Sequence, residues 1–383
     1  MKLKVERGTL LKALAHVQSV AEKRNTIPIL ANVVLSARDA GAEGELVLTA
    51  TDMEIAVLER IKADIARPGA TTVPAAMLHE IVRKLPDGAT VELSQAGTDA
   101  PLALRAGRFA TSMNVLGVED FPSMSTGTLP HRFVIQGAVL RALVDRTRFA
   151  ISTEETRYYL NGIYLHVAAA DAKSLGQGPM LRAVATDGHR LARVETELPE
   201  GAAEMPGVII PRKTVLELRK LLDEIEDGVT VSLSETRIQF DVGDITLTSK
   251  LIDGTFPEYE RVIPRDNASI LRVGKRDFAD AVSRVAAISQ ERSRPVKLAL
   301  SKNLLVLSAS SPDQGTASEE LDEGRAQYDA TPLEIGFQAR YLNDITDQID
   351  KDVEFAFSDG NAPTLVRDAG NPSALYVLMP MRV

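Results

Sequence analysis

The stretch Leu181-Arg182-Ala183-Val184-Ala185-Thr186-Asp187 repeats a pattern met earlier in the chain, Leu46-Val47-Leu48-Thr49-Ala50-Thr51-Asp52. A third version, Leu305-Val306-Leu307-Ser308-Ala309-Ser310-Ser311, follows. The offsets are 135 and 124 residues. Each copy is a short apolar run closing on small polar residues, which reads as a strand entering a turn. A repeat of this length implies that a whole domain recurs, and that reading governs every local one.

Three further frames keep step with the first. The pattern Val5…Leu10…Leu14 returns as Ile135…Leu140…Val144 and Val273…Phe278…Val282, each an extended stretch running into a helical period. Val73-Pro74-Ala75…Leu78…Ile81 returns as Ile210-Pro211-Arg212…Val215…Leu218 and Phe337-Gln338-Ala339…Leu342…Ile345. There a strand ends, with Pro at the first helical position in two copies, and a second helix starts. Thr111-Ser112…Phe121-Pro122 pairs with Thr248-Ser249…Phe256-Pro257. The order holds and the drift falls in loops, so the chain divides into three domains of one fold, 1–125, 126–262 and 263–383. Each has two helices and many short strands, an α+β architecture with helices against antiparallel sheet. Three such repeats joined head to tail suggest a ring or arc, closed directly or by oligomerising.

The chain has 383 residues, 44% apolar and 25% charged, a globular balance. It has no cysteine, which excludes disulfides, Cys-ligated zinc and a Cys nucleophile. No apolar run approaches the ~18 residues of a membrane helix. Met1–Arg7 is charged where a signal peptide needs an apolar core, so a cytoplasmic location is expected.

The net charge of −9 is unevenly spread. Six helix windows, 7–24, 75–85, 138–150, 211–222, 274–294 and 339–350, together carry +9, leaving −18 for strands and loops. Only 339–350 is negative. Lys and Arg are good helix formers, but that preference would recruit Glu equally, and these windows hold few. Basic helices within an acidic exterior suit a polyanion held by phosphate contacts without sequence readout.

The densest polar cluster is Thr186-Asp187-Gly188-His189-Arg190-Leu191. Catalysis there would need a nucleophile and an oxyanion hole, and no Gly-x-Ser-x-Gly elbow accompanies it. His131 and His166 show no metal-ligand spacing, and no phosphate loop is present. A turn with Gly188 at positive φ fits better. The chain ends on an apolar stretch, Ala374 to Val383. A final strand over 374–379 is expected, with Pro380 stopping its ladder and Met379, Met381 and Val383 left as an adaptable apolar surface.

Longer motifs carry a resemblance. Arg157-Tyr158-Tyr159-Leu160-Asn161-Gly162, Ala185-Thr186-Asp187-Gly188-His189-Arg190-Leu191-Ala192, Ser249-Lys250-Leu251-Ile252-Asp253-Gly254-x-Phe256-Pro257-x-Tyr259 and Tyr376-Val377-Leu378-Met379-Pro380-Met381-Arg382 look like the bacterial sliding clamp family, the beta subunit of DNA polymerase III. The likeness runs the length of the chain. It implies three clamp domains and a head-to-tail homodimer, a six-domain ring with helices lining the hole. It implies a non-catalytic DNA replication protein without cofactor or metal, a processivity factor that encircles double-stranded DNA. An ATP-dependent clamp loader would place it there. The implied partners are the catalytic subunit of the polymerase, the loader, and other polymerases and repair proteins that carry a clamp-binding motif.

Residue by residue, the resemblance implies a partner-peptide pocket of Leu160, Thr186, Gly188, His189, Arg190, Leu191, Pro257, Arg261, Val262, Val377, Met379, Pro380, Met381 and Arg382. Leu160, Leu191, Val262, Val377 and Met379 would bury the partner's Leu and Phe side chains, with Arg190 and Arg382 as cations positioned to orient the peptide. DNA contacts would be Arg24, Tyr158, Tyr159, Arg212 and Lys250. Phe109 and Ile288 would meet across the dimer interface. Two positions depart from some relatives, with Glu154 in place of Gln and Ala76 in place of Arg. The competing readings are an enzyme of nucleic-acid metabolism centred on Asp187 and His189, and a scaffold that binds only proteins.

Overall fold

The computed structural model describes all residues except 22–25, 40–43, 125–126, 170–177, 226, 290–293 and 323. Arg24, the 125/126 joint and most of the segment 175–179 therefore lie outside the described residues.

Among the described residues, six α-helices stand where the repeat frames put them: α1 Arg7–Gln18, α2 Ala75–Lys84, α3 Gly137–Arg148, α4 Arg212–Leu221, α5 Lys275–Ala286 and α6 Ala339–Thr346. Each begins at the residue after a strand, with no intervening loop. The switch from period 2 to period 3.6 sets the change of element. In α1, Leu10, Ala13, Leu14 and Val17 face inward, and in α5 Phe278, Ala281, Val282 and Val285 do the same. Full burial of a Leu or Phe side chain stabilises by about 1.5–3 kcal/mol, so these stripes hold the helices to their sheets. The Glu6 carboxylate accepts the Thr9 N–H at 2.7 Å and caps α1.

One local expectation needs correction. Pro74 and Pro211 are not the first helical residues; each is the last residue of the preceding strand. Both strands, Gly69–Pro74 and Val208–Pro211, lie at the edge of their sheets, where a missing N–H costs no ladder bond.

The chain forms two compact units, 1–140 with 213–251, and 141–212 with 252–383. The first holds a five-stranded sheet in the order Asp64–Arg67, Lys2–Glu6, Thr90–Ser94, Leu102–Ala106, Phe109–Met113. It also holds an eight-stranded sheet in which Ile245–Lys250 of the second repeat pairs antiparallel with Ile55–Lys62 of the first. Helix α1 packs on α2 in this unit.

The second unit holds a nine-stranded sheet in which Arg190–Glu197 of the second repeat pairs antiparallel with Asn371–Leu378 of the third. Its four-stranded sheet runs Gly315–Leu321, Leu304–Ser311, Pro295–Ser301, Leu333–Gln338. Helix α5 packs on α6, and Phe278 of α5 meets Phe355 of the large sheet with ring centroids 5.0 Å apart. Backbone ladders thus run across both repeat joints. Phe109–Met113 and Gly315–Leu321 each form one edge of a smaller sheet, with Asp64–Arg67 and Leu333–Gln338 at the opposite edges.

Lys and Arg outnumber Asp and Glu in α1 to α5, and α6 is balanced. The negative count over 339–350 comes from Asp347 and Asp350, just past the end of α6. No helix among the described residues is long and apolar enough to cross a membrane.

Candidate functional site

Thr186 to Arg190 form the turn between two strands of the nine-stranded sheet, Met180–Thr186 and Arg190–Glu197. Asp187 Oδ1 accepts the backbone N–H groups of His189 and Arg190 at 2.9 and 3.0 Å. The Thr186 hydroxyl donates to the Arg190 carbonyl at 2.7 Å and accepts from the Gly188 N–H at 3.1 Å. Gly188 sits at φ +88°, and a Cβ there would lie 2.4 Å from Arg157 Nη1. Arg157 is itself held by two bonds to the Glu154 carboxylate, which lower the Glu154 pKa.

The first repeat builds the same turn atom for atom. Asp52 Oδ1 accepts the Glu54 and Ile55 amides at 2.8 and 2.7 Å, and Thr51 donates to the Ile55 carbonyl at 2.8 Å. There Met53 takes the positive φ, +77°. The Thr-Asp pair of the repeat is therefore a turn device. In the second copy the Asp187 carboxylate is occupied by two amides and by Arg190 Nε at 3.0 Å. His189 stacks on Tyr341, ring centroids 6.2 Å apart.

Arg190 differs from the expectation that it orients a peptide. Its side chain is 4% exposed. It donates to Asp187, to Asp344 of α6 and to the Phe149 carbonyl. Its guanidinium also lies over the Tyr341 and Phe149 rings, 4.4 and 5.1 Å from their centroids. A guanidinium satisfied this way braces the turn against α6. Arg382 is exposed.

The apolar part of the site is layered. Leu160, Leu191 and Val377 are buried in one cluster with Val184, Ile209, Phe256 and Tyr259. Leu191 stands directly across the ladder from Val377. Val262 and Met379 are exposed, at 47% and 40%. Pro257 and Arg261 are exposed too, and Arg261 pairs with Glu258. The segment carrying these residues is pinned by aromatic packing. Phe256 stacks on Tyr164 at 4.8 Å, and Tyr259 Oη bonds His166 Nε2 at 3.0 Å. Burial pushes the Tyr259 phenol up to about 12 and the His166 imidazole down, so both are neutral partners near pH 7.

The chain end also departs from expectation. The last strand is Asn371–Leu378, and backbone bonding continues beyond it. Met379 N–H donates to the His189 carbonyl and Met381 N–H to the Gly336 carbonyl, each at 2.9 Å. Pro380, lacking a donor, interrupts the ladder, and it resumes one residue later on Gly336 of the edge strand Leu333–Gln338. A Cβ on Gly336 would lie 2.4 Å from Val383 Cγ1 and 2.7 Å from the Met381 carbonyl. Gly336→Ala should therefore lift residues 381–383 off the sheet while the core stays folded. Amide exchange at Met381 should accelerate roughly tenfold, the worth of one net hydrogen bond. Unchanged exchange at Met381 would show that the strand accommodates the methyl.

Of the DNA-contact candidates, Tyr158 is exposed and meets Tyr159 edge-on at 5.7 Å. Arg212 is exposed at the start of α4. Lys250 is not an unpaired cation, for its ammonium bonds Glu54 at 2.8 Å. Ala76 is exposed in the first turn of α2. Phe109 is exposed on its edge strand, and Ile288 is half-buried near Gly315 of the other edge strand. Sequence reasoning missed Asp344, Tyr341 and Phe149, which hold Arg190 in place. They lie far from it along the chain and carry no motif.

Comparison with known proteins gives matches along the chain. Residues 1–125 match the N-terminal domain of the DNA polymerase III beta subunit, 134–258 its central domain and 260–382 its C-terminal domain. The beta sliding clamp of Caulobacter vibrioides is 51% identical over 385 residues, covering 100% of both chains. That of Escherichia coli is 36% identical over 387 residues, again with 100% of each covered. A crystal structure of the Caulobacter crescentus clamp superposes with a TM-score of 0.95 at 50% identity, covering 100% of this chain and 99% of that one. The Bartonella birtlesii clamp bound to griselimycin gives 0.94 at 46% identity with both chains fully covered. The chain belongs to the DNA polymerase III beta subunit family, the bacterial sliding clamps.

Proposed function

We propose that two copies of this chain close into a ring around duplex DNA and tether the replicative polymerase through the site on the nine-stranded sheet. The role of processivity factor, without catalysis of its own, follows from family membership. The observation that carries the ring is the pattern of sheet joints. The last strand of the second repeat pairs with the first repeat, and the last strand of the third pairs with the second. Among the described residues, the last strand of the first repeat, Phe109–Met113, has no such partner, and neither has Gly315–Leu321 of the third. Pairing these edges between two chains completes the same joint and supports a head-to-tail dimer. Phe109 and Ile288 then form its apolar contact. The domains are 1–125, 126–262 and 263–383.

The partner site takes a short extended motif with apolar anchors. Val262 and Met379 receive them, backed by Leu160, Leu191 and Val377, and rimmed by Thr186, Gly188, His189, Pro257, Arg261, Pro380, Met381 and Arg382. Its methionine-edged surface repacks at low cost, which suits several partners: the polymerase, an ATP-driven loader, other polymerases and repair proteins. Arg24, Tyr158, Tyr159, Arg212 and Lys250 contact the DNA backbone. The Asp187 and His189 alternative loses support, because the carboxylate is already occupied by two amides and Arg190.

Topology supplies the test. Once loaded, the protein should stay on circular DNA through moderate salt and leave after linearisation. A groove binder making about 6–10 phosphate contacts would lose ~10³–10⁵ in affinity between 50 and 200 mM salt. Equal salt-driven loss from circular and linear DNA would overturn the ring.

A further inference from the structure

Two residues along the sheet from the partner site, on the same face, lies a second groove of about 640 Å³. Leu191 and Val377 belong to the partner site; Arg193 and Leu375, the next pair on that face of the same two strands, line the groove. Its size is that of a small-ligand site. The floor is apolar, with Leu365 and Leu375 buried, and Ile263 and Ile270 half-buried at its walls.

The charged lining is unbalanced. Arg193 is buried, its side chain 9% exposed, and its Nε is buried with no hydrogen-bond partner among the described residues. Its nearest carboxylates, Glu195 and Glu260, are each 3.9 Å away, because Arg182 holds both at 2.7 and 2.6 Å. The other acid in the lining, Glu354, is bonded by Arg272 at 3.0 Å. Arg265 and Arg367 complete the charged part of the lining, and no carboxylate within ion-pair distance of either is found among the described residues. A buried guanidinium whose carboxylates stand no closer than 3.9 Å is under-compensated, and an anion in the groove that Arg193 lines would supply the missing counter-charge.

We propose that this groove binds an amphipathic carboxylate. The aliphatic or aromatic body lies on Leu365, Leu375 and Ile270, and the carboxylate accepts from Arg193 with Arg367 alongside. Such a ligand would arrive as a small molecule or as the acidic end of a peptide, and octanoate probes the chemistry common to both. Calorimetry on the full chain should show saturable one-to-one binding of octanoate. Octan-1-ol, which keeps the chain and lacks the charge, should bind at least about tenfold more weakly, as loss of a charge-assisted hydrogen bond requires. Arg193→Met should lose octanoate by a similar factor. Should that variant not fold, Arg367→Met, at a half-buried position, decides by the same criterion. A peptide ending in Leu-Glu, competing with octanoate where its C-terminally extended form does not, would assign the natural source to a peptide end; competition by neither form would assign it to a small molecule, and each leaves the groove occupied as proposed. Equal binding of octanol and octanoate, or octanoate affinity untouched by the Arg variants, would overturn the proposal. So would displacement by saturating polymerase-derived peptide, which would put octanoate in the neighbouring site. These readouts do not depend on ring closure, so failure of the circular-DNA test would leave them standing.

Discussion

Arg190→Ala is expected to destabilise the chain by about 3–5 kcal/mol, the usual cost of removing one partner from a buried charge network. Three hydrogen bonds disappear at once. Asp187 and Asp344 lose their shared counter-ion, the Phe149 carbonyl loses its donor, and two aromatic rings lose the cation over them. Urea denaturation monitored by circular dichroism reads the loss directly. Asp344→Asn in the Arg190→Ala background should return part of it, because it removes a charge left with only the exposed Arg340, at 3.5 Å, to balance it. Partner-peptide affinity should fall as well, although the guanidinium is covered, because the turn that carries His189 loses its brace against α6. A loss below about 1 kcal/mol would mean that the network contributes no more than a surface ion pair.

Placing aspartate at both Phe109 and Ile288 should convert a double-size species into folded single chains. If the two edge strands meet, each substitution puts a charge into an apolar contact. The two together cost several kcal/mol, roughly a thousandfold in association. Light scattering at micromolar concentration distinguishes the outcomes, and circular dichroism should be unchanged because neither side chain belongs to the core. A variant that stays dimeric would remove these residues from the interface. A variant that becomes monomeric should also fail to remain on circular DNA.

The three-fold repeat, the α+β class and the placement of all six helices were legible in the sequence, because strand and helix periods differ and the repeat supplied three readings of each frame. The turn at Thr186–Arg190 was legible too, since Thr, Asp and Gly at that spacing answer to backbone hydrogen bonding alone. Arg190 was misread. Sequence shows a cation near a turn; only the fold brings Asp344 and Tyr341 from more than 150 residues away to cover it. The chain end was half legible. Pro380 predicted a break, but the return to Gly336 depends on a neighbouring strand that no local pattern reveals. The Glu54 partner of Lys250 was not legible for the same reason, since it lies in another repeat.

The ladders that cross both repeat joints separate two things usually taken together. The repeat is the unit of duplication, yet it is not the unit that can be excised. Cutting the chain after the first repeat strips Ile245–Lys250 from Ile55–Lys62 and bares an interior strand of eight residues. An exposed strand of that length, carrying Ile55 and Val57 on its buried face, is a template for aggregation. A fragment for biophysical dissection would have to follow the sheets, taking 1–140 together with 213–251, and would need a linker in place of the 72 residues between them. Evolution by copying and dissection by truncation therefore cut this protein at different places.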